Sequence, residues 1–189
     1  HYADKCGDDQ LWVFAYGSLI WKPDFDAIDH MRATAYGWHR AFCLKINRFR
    51  GSPSQYGLMM ALKAGGSCDG VIYRLPDHQK KAQIRRMLVR EIRYHQNLDM
   101  IRWIHVHTDS GKKRVMVFWA GPTDERVIQN MCLKQVAAVL ARACGPMGSC
   151  AEYLYNTVRH LHEFGINDRN LWTLQALVAD EIRSLTQDK

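Results

Sequence analysis

The 189-residue sequence lacks several features, and each absence excludes a class of protein. No apolar run approaches the roughly 20 residues that a membrane-spanning helix needs, so no membrane partner is predicted. The first residues have neither the basic start nor the apolar core of a signal peptide. The chain does not begin with Met, which leaves open whether a cleaved segment preceded His1. There is no internal repeat or low-complexity stretch, and the composition is that of an ordinary globular protein.

The sequence also lacks the usual signatures of metal and disulfide sites. Its six cysteines include no C-x-x-C pair, and Cys43 and Cys132, which lie in apolar runs, are predicted to be small core hydrophobes. This spacing argues against a zinc site, and the chain is large enough to fold without disulfides, so a reduced, cytoplasmic protein is predicted. His105 and His107 share one face of a predicted strand, but no Cys, Asp or Glu is placed to complete a site. We therefore expect both imidazoles to be solvent-exposed, with no metal and no cofactor.

The charge is unbalanced, with a formal net charge of +7. The densest basic run, at 80–93, falls within one amphipathic helix, and no aromatic, basic strand of the RNA-binding type is present. A basic helix face alone is a weak indication of nucleic-acid binding. The sequence favours a solvated face, or one that attracts an anionic small molecule, and no nucleic-acid partner is predicted.

The hydrophobic periodicity changes along the chain from strands to a helix, back to strands, and then to helices. Strands are predicted at 11–16, 33–46 (bent near Gly37), 56–63, 70–75, 101–108 and 114–120, with Gly65-Gly66 as a hairpin turn. Helices are predicted at 77–94 (with Asp77 as N-cap), 123–143, 149–164 and 168–186. This order predicts an α+β fold, with a small, mostly antiparallel sheet or barrel and flanking helices. Residues 1–10 are predicted to be a tail, and residues 11–186 a single domain.

The helix predicted at 77–94 carries the most informative local feature. Ile84, Met87 and Leu88 follow the i, i+3, i+4 spacing of a buried stripe, and the i+7 position of that stripe is Glu91. Burial of an unpaired carboxylate is costly and raises its pKa, which is the adjustment that a proton-transfer catalyst needs. Two interpretations remain. Glu91 is a general acid/base, or it forms a structural ion pair with a neighbouring arginine.

Five segments carry motifs in a fixed order. They are V-F-A-Y-G-S-L-I-W-K-P at 13–23, G-L-M-M-A-L at 57–62, C-D-G-V-I-Y-R-L-P at 68–76, Arg90-Glu91, and G-P-M-G-S at 145–149 followed by Glu152-Tyr153-Leu154. Together they resemble the ChaC-like γ-glutamylcyclotransferases of the glutathione-specific type, over about residues 11–180. The resemblance implies a small mixed β-barrel flanked by helices. It also implies an enzyme without metal or redox cofactor that releases 5-oxoproline and Cys-Gly from glutathione.

The resemblance also implies roles for particular residues. Tyr16, Gly17, Ser18 and Leu19 would form a substrate cradle, whose backbone N–H groups hold a carboxylate and a developing oxyanion. Glu91 would be the acid/base. Tyr153 matches a tyrosine expected to reach the substrate, although a helical tyrosine beside a leucine is also typical of a core. A Ser18 nucleophile is not favoured, because the G-x-S-x-G elbow is missing.

One segment departs from the family pattern. Many relatives show a glycine after the Arg-Glu pair and a tyrosine at the fourth residue past Glu. Here residues 92–96 read I-R-Y-H-Q, with no glycine and the tyrosine one position early. Two alternatives therefore stay open: a cyclotransferase acting on another γ-glutamyl amine, and a non-catalytic domain that binds a γ-glutamyl-like ligand or a protein. The oligomeric state is not encoded in these patterns.

Overall fold

The structure is a computed structural model that describes residues 10–91, 100–121 and 125–187, with the backbone alone at 79 and 88–91. Its contacts divide the chain into two compact units. The first comprises residues up to Arg40 together with Leu62–Gly121, and the second comprises Ala41–Ala61 together with the residues after Gly121. None of the described helices is long and apolar enough to cross a membrane. The prediction of a single domain over 11–186 stays a prediction.

Five strands form a closed barrel. They are β1 (Trp12–Ala15), β2 (Asp29–Ile46), β3 (Gly57–Arg74), β4 (Ile101–Thr108) and β5 (Gly111–Phe118), in the spatial order β1-β3-β2-β4-β5. The β1–β3, β2–β4 and β4–β5 pairs are antiparallel, and a parallel β1–β5 contact closes the barrel. This arrangement confirms the predicted α+β class and the mixed, mostly antiparallel barrel.

The apolar run that becomes β1 forms the centre of the first unit. Val13, Phe14 and Ala15 are fully buried, and they pair with Tyr73, Ile72 and Val71 of β3. A strand that is buried on both faces reads as a continuous apolar run rather than an alternating one, which explains the sequence pattern. β1 therefore anchors the residues that follow its carboxyl end, beginning with Tyr16.

The predicted hairpin turn at Gly65-Gly66 is wrong. Residues 57–74 form one continuous strand, in which Gly65 and Gly66 keep positive φ angles of +100° and +73°. The Gly65 carbonyl lies 2.9 Å from Nδ1 of His39 on β2. Glycine reaches positive φ without the steric cost that other residues have, so it serves an irregular strand as readily as a turn. The sequence does not distinguish the two.

The helix α1 (Lys80–Glu91) follows a short 3-10 turn at Asp77–Gln79. Asp77 is not the N-cap that the sequence predicts. It is the first residue of the turn, and its carboxylate pairs with Arg74 at 2.9 Å and Lys80 at 3.2 Å. A hydrogen bond with Lys80 is the main cause that lowers the pKa of Asp77. Ile84 and Met87 are buried, which confirms that part of the predicted stripe.

In the second unit, the predicted helix over 123–143 is wrong in its first half. The segment around Val127 instead runs antiparallel to the end of β2. The N–H of Lys45 donates to the Arg126 carbonyl, the N–H of Ile128 donates to the Cys43 carbonyl, and Leu44 bridges Val127. Pairing with a neighbouring strand satisfies this backbone without a helix.

The helices of the second unit are α2 (Leu133–Arg142), α3 (Cys150–Glu163) and α4 (Arg169–Gln187), with a two-residue hairpin of β6 (Cys144–Gly145) and β7 (Gly148–Ser149) before α3. The predictions for α3 and α4 are confirmed. Cys43 is buried as expected, but Cys132 is exposed, because it is the N-cap of α2 and not a core residue.

Cys150 begins α3 inside the second unit. It is fully buried, with Sγ 3.1 Å from the Arg50 carbonyl oxygen and 3.6 Å from that of Leu58. A Cβ at Gly57 would lie 2.8 Å from this sulfur, so the small residue is required there. Burial is the main cause that raises the pKa of the Cys150 thiol.

Candidate active site

The predicted cradle, Tyr16–Leu19, lies where β1 leaves the barrel. β1 ends at Ala15, and a 3-10 turn covers Ser18–Ile20 with Gly17 as its N-cap. The first hydrogen bond of this turn runs from the Ile20 N–H to the Gly17 carbonyl at 2.9 Å. The N–H groups of Gly17 and Leu19 come before this donor in the chain. Like the first amides of any helical turn, they are not donors within the turn itself. Such amides are typical of an anion-binding backbone.

Buried hydrogen bonds hold the first residue of the cradle, Tyr16, and the residue that follows it, Ile20. The Tyr16 hydroxyl donates to the Phe118 carbonyl of β5 at 2.7 Å, so this tyrosine is tied to the barrel wall. The Tyr73 hydroxyl donates to the Ile20 carbonyl at 3.2 Å. Burial raises the pKa of Tyr73 to about 12, so its phenol stays protonated and remains a donor even at alkaline pH.

A further contact joins the loop after the cradle to α1. Gln83 is only 2% exposed, and its Oε1 accepts a hydrogen bond from the Asp26 N–H at 3.2 Å. Its Nε2 donates to the Asp26 carboxylate at 2.7 Å. The cradle and the helix that carries Glu91 therefore lie in one unit and are linked through a buried amide.

Glu91 is the last residue of α1, eleven positions after Lys80. The helical period returns position 91 to the face of Ile84, seven residues earlier, as the sequence predicts. Its side chain is not among those described, and residues 92–96, which depart from the family pattern, also lie outside the described residues. The assignment of Glu91 as the acid/base stays a prediction.

Tyr153 belongs to the second unit. It is 3% exposed, and its ring lies edge-on to Phe42 at 5.6 Å and under the Arg50 guanidinium at 5.7 Å. Arg50 also bonds the Ser149 carbonyl at 2.6 Å and the Glu152 carboxylate at 2.7 Å, which fixes the start of α3. The ring is a core element of its unit, and a role of Tyr153 in substrate binding stays a prediction.

The histidine pair on β4 is exposed, as expected. His105 lies opposite Arg114 and His107 opposite Lys112 in the β4–β5 ladder. Cations at those positions oppose the binding of a metal ion by the imidazoles. No group of three or more potential metal ligands occurs within the part of the chain that the structure describes.

Two residues that support the cradle were missed from the sequence. Arg40, 8% exposed, donates from Nη1 to the Tyr16 carbonyl at 2.8 Å, and nothing in the alternating pattern of β2 distinguishes it. Gln83 could have been found, because it stands four residues before Met87 on the buried stripe. A polar residue at such a position indicates a specific partner.

Comparisons with known proteins identify the family and agree with the fold. The family model described as "ChaC-like protein" matches residues 11–181. The glutathione-specific γ-glutamylcyclotransferase of Escherichia coli K12 is 34% identical over 169 residues, which are 88% of this chain and 72% of that protein. The γ-glutamylcyclotransferase 2-3 of Arabidopsis thaliana is 29% identical over 94% of this chain and 91% of its own length.

Among solved structures, a yeast γ-glutamyl cyclotransferase specific to glutathione superposes with a TM-score of 0.81 at 22% identity, covering 91% of this chain and 96% of its own. At that identity the likeness is one of fold. The family match, by contrast, spans both the cradle at the end of β1 and the helix that ends at Glu91. This chain belongs to the ChaC-like family.

Proposed function

We propose that this chain is a γ-glutamylcyclotransferase that cleaves glutathione to 5-oxoproline and Cys-Gly. The observation that carries the proposal is the 34% identity to the glutathione-specific enzyme of Escherichia coli over 88% of the chain. The geometry of the cradle supports it, because a buried strand presents a glycine-containing turn whose first amides lie outside the turn's own bonding.

The reaction is an intramolecular transfer. The α-amine of the γ-glutamyl group attacks its own γ-carbonyl carbon, a C–N bond forms, and the five-membered lactam of 5-oxoproline closes. The bond from that carbon to the cysteinyl nitrogen breaks, and Cys-Gly leaves as the free amine. One proton leaves the attacking amine and one is gained by the leaving nitrogen, so no group is oxidised or reduced and no water is consumed.

The site's task is therefore to fold the substrate and to move one proton. Holding amine and carbonyl in contact supplies much of the rate through proximity. A single carboxylate can accept the proton of the attacking amine and return it to the leaving nitrogen, and Glu91 is the proposed carboxylate. The amides of Gly17, Ser18 and Leu19 are the proposed donors to the substrate's carboxylate and to the oxyanion that develops on the γ-carbonyl.

Tyr16 and Tyr153 complete the proposed substrate-binding set. Tyr16 acts through its backbone, since its hydroxyl is bound to the Phe118 carbonyl. Tyr153 is proposed to contribute its hydroxyl. The partner is a small molecule, and the protein is proposed to act in the cytoplasm, without metal or other cofactor.

The decisive experiment is an assay of purified protein with glutathione in the presence of a chelator, with 5-oxoproline and Cys-Gly measured by mass spectrometry. The same assay is run with a panel of other γ-glutamyl amines and γ-glutamyl dipeptides. We expect both products from glutathione, in equal amounts, and little product from the panel.

Each of the other outcomes identifies an alternative. Product from a panel compound but none from glutathione would replace the substrate and keep the reaction. The atypical residues at 92–96 make this alternative specific to the present chain. Binding of γ-glutamyl ligands by calorimetry without any product would identify a non-catalytic binding domain.

A further inference from the structure

Arg40 is a buried cation beside the cradle. It lies on β2, and its guanidinium spans two neighbouring strands, with Nη1 2.8 Å from the Tyr16 carbonyl and Nη2 in contact with the Asp69 carbonyl of β3. Arginine is rarely buried to this extent. Its planar guanidinium can hold two acceptors in fixed directions, which the single ammonium of a lysine cannot do.

The two carbonyls lie just beyond the end of a strand ladder. The last described β1–β3 pair is Ala15 with Val71. Tyr16 comes directly after Ala15 in the chain, and Asp69 lies two residues before Val71. Between them is Gly70, where an added Cβ would lie 2.5 Å from the Ala15 carbonyl oxygen and 2.7 Å from the Phe14 ring. The strands are thus in close contact where their pairing ends. Just past the last pair, the guanidinium binds the backbone carbonyls of Tyr16 and Asp69.

This contact fixes a second group as well. A peptide bond is planar and trans, so the carbonyl of Tyr16 and the N–H of Gly17 belong to one rigid plane and point in opposite directions. When Arg40 holds the carbonyl, it also sets the direction of the Gly17 N–H. That N–H does not take part in the first hydrogen bond of the 3-10 turn, which begins at Ile20.

We propose that Arg40 is a positioning residue that aims the Gly17 N–H at the α-carboxylate of the γ-glutamyl group, and so determines the preference for substrates in which this carboxylate is free. The inference rests on the proposed function, because it assigns a recognition element within the same site. Arg40 does not touch the substrate in this scheme and acts only through the Tyr16–Gly17 peptide.

The test compares two substrates. One is glutathione, and the other is its analogue in which the carboxylate on the γ-glutamyl α-carbon is a carboxamide. A charge-assisted hydrogen bond is stronger than a neutral one, so the wild type should prefer glutathione. For Arg40→Gln we expect KM for glutathione to rise roughly 10-fold or more, with kcat changed far less, and the preference for glutathione to fall by a similar factor.

Two further variants separate positioning from folding. Arg40→Lys keeps the charge but loses the two-armed contact, so we expect an intermediate loss of preference. Arg74→Gln removes a half-buried arginine of the same unit whose partner is Asp77, and it should lower stability without altering the preference. If Arg40→Gln does not fold, Arg40→Lys decides the proposal alone. An equal loss of kcat/KM for both substrates would show a structural role and overturn it.

Failure of the proposed function is seen separately, in the wild type. If the wild type turns over neither compound, the function is wrong, and Arg40 is tested by calorimetry with 5-oxoproline, which carries the same α-carboxylate. Weaker binding by Arg40→Gln, with the fold intact, would support the positioning role. Unchanged binding would overturn it.

Discussion

Gln83 and Asp26 hold each other through two hydrogen bonds, one to the Asp26 N–H and one to its carboxylate. Truncation by Gln83→Ala should leave a cavity in a buried place and release the loop that follows the cradle. We expect the free energy of unfolding to fall by about 1–3 kcal/mol and KM for glutathione to rise. Urea denaturation and steady-state kinetics measure the two effects.

Arg86→Gln is the matched control, because Arg86 approaches the same Asp26 carboxylate at 3.8 Å from an exposed position. Exposed ion pairs contribute about 0–1 kcal/mol, so this variant should resemble the wild type. Equal effects of the two substitutions would show that the buried amide has no special role.

Gly70→Ala tests the close contact of β1 and β3 below the cradle. The added methyl would overlap the Ala15 carbonyl and the Phe14 ring, and relief of that overlap must shift β1. We expect a loss of about 1–3 kcal/mol in unfolding free energy together with weaker substrate binding.

Gly121→Ala adds the same methyl in the same unit, where no described heavy atom lies within 4 Å of the new Cβ. A comparison of the melting temperatures of the two variants isolates the stability that is lost through steric overlap of the added methyl group. A Gly70→Ala protein as stable as Gly121→Ala would mean that the strands separate at no cost.

Glu91→Gln tests the acid/base assignment. The amide has nearly the same shape but cannot accept the proton of the attacking amine, so kcat should fall by roughly 10²- to 10⁴-fold. Calorimetric binding of 5-oxoproline should persist. Glu163→Gln, at an exposed carboxylate near the end of α3, should keep full activity. Full turnover by Glu91→Gln would remove Glu91 from the mechanism and favour a structural ion pair.

Tyr153→Phe separates a substrate contact from a packing role. The variant keeps the ring between Phe42 and Arg50 and loses only the hydroxyl. If the hydroxyl binds substrate, KM should rise by roughly 5- to 10-fold while the melting temperature changes little. Tyr155→Phe, an exposed position on the same helix, is the control and should change neither value. A Tyr153→Phe enzyme with the KM of the wild type would leave Tyr153 as a core residue alone.

The raised pKa of Tyr73 predicts a pH dependence of stability. Its phenol ionises at about pH 12 in the folded protein and near pH 10.0 when solvated, because burial disfavours the anion. The unfolded chain therefore loses this proton first. The contribution of Tyr73 is complete below about pH 10 and is lost as the pH rises toward 12. Urea unfolding between pH 9 and 12 should show this loss in the wild type and not in Tyr73→Phe, and parallel curves for the two proteins would contradict it.

Much of this architecture follows from local patterns in the sequence. The run that becomes β1 is continuously apolar because the strand is buried on both faces, and α3 and α4 have clear helical periods. Gly65-Gly66 misled the prediction, because positive φ is compatible with both a turn and an irregular strand. The sequence predicts a helix around Val127 because its β2 partner, Cys43–Lys45, lies about 80 residues earlier in the chain, and periodicity carries no information on such pairing.

The same contrast, between local patterns and contacts of residues far apart in the chain, applies to the candidate site. Motifs predict Tyr16–Leu19 and Glu91 as site residues, and the stripe that contains Ile84 and Met87 supports the prediction for Glu91. Arg40 was not found, because its role depends on two carbonyls that only the fold brings together. Gln83 stands on the buried stripe, where an amide among apolar neighbours indicates a specific hydrogen-bond partner.

The burial of Cys150 bears on how this protein withstands the oxidised, disulfide form of its proposed substrate. Disulfide exchange with oxidised glutathione requires a thiolate and access to it, and a buried thiol with a raised pKa offers neither. The contacts of this sulfur with the Arg50 and Leu58 carbonyls should therefore survive oxidising conditions. Among the cysteines that the structure describes, only Cys132 and Cys144 are exposed, and both belong to the second unit. Oxidation should therefore modify the surface of this unit before it reaches Cys150 in its core.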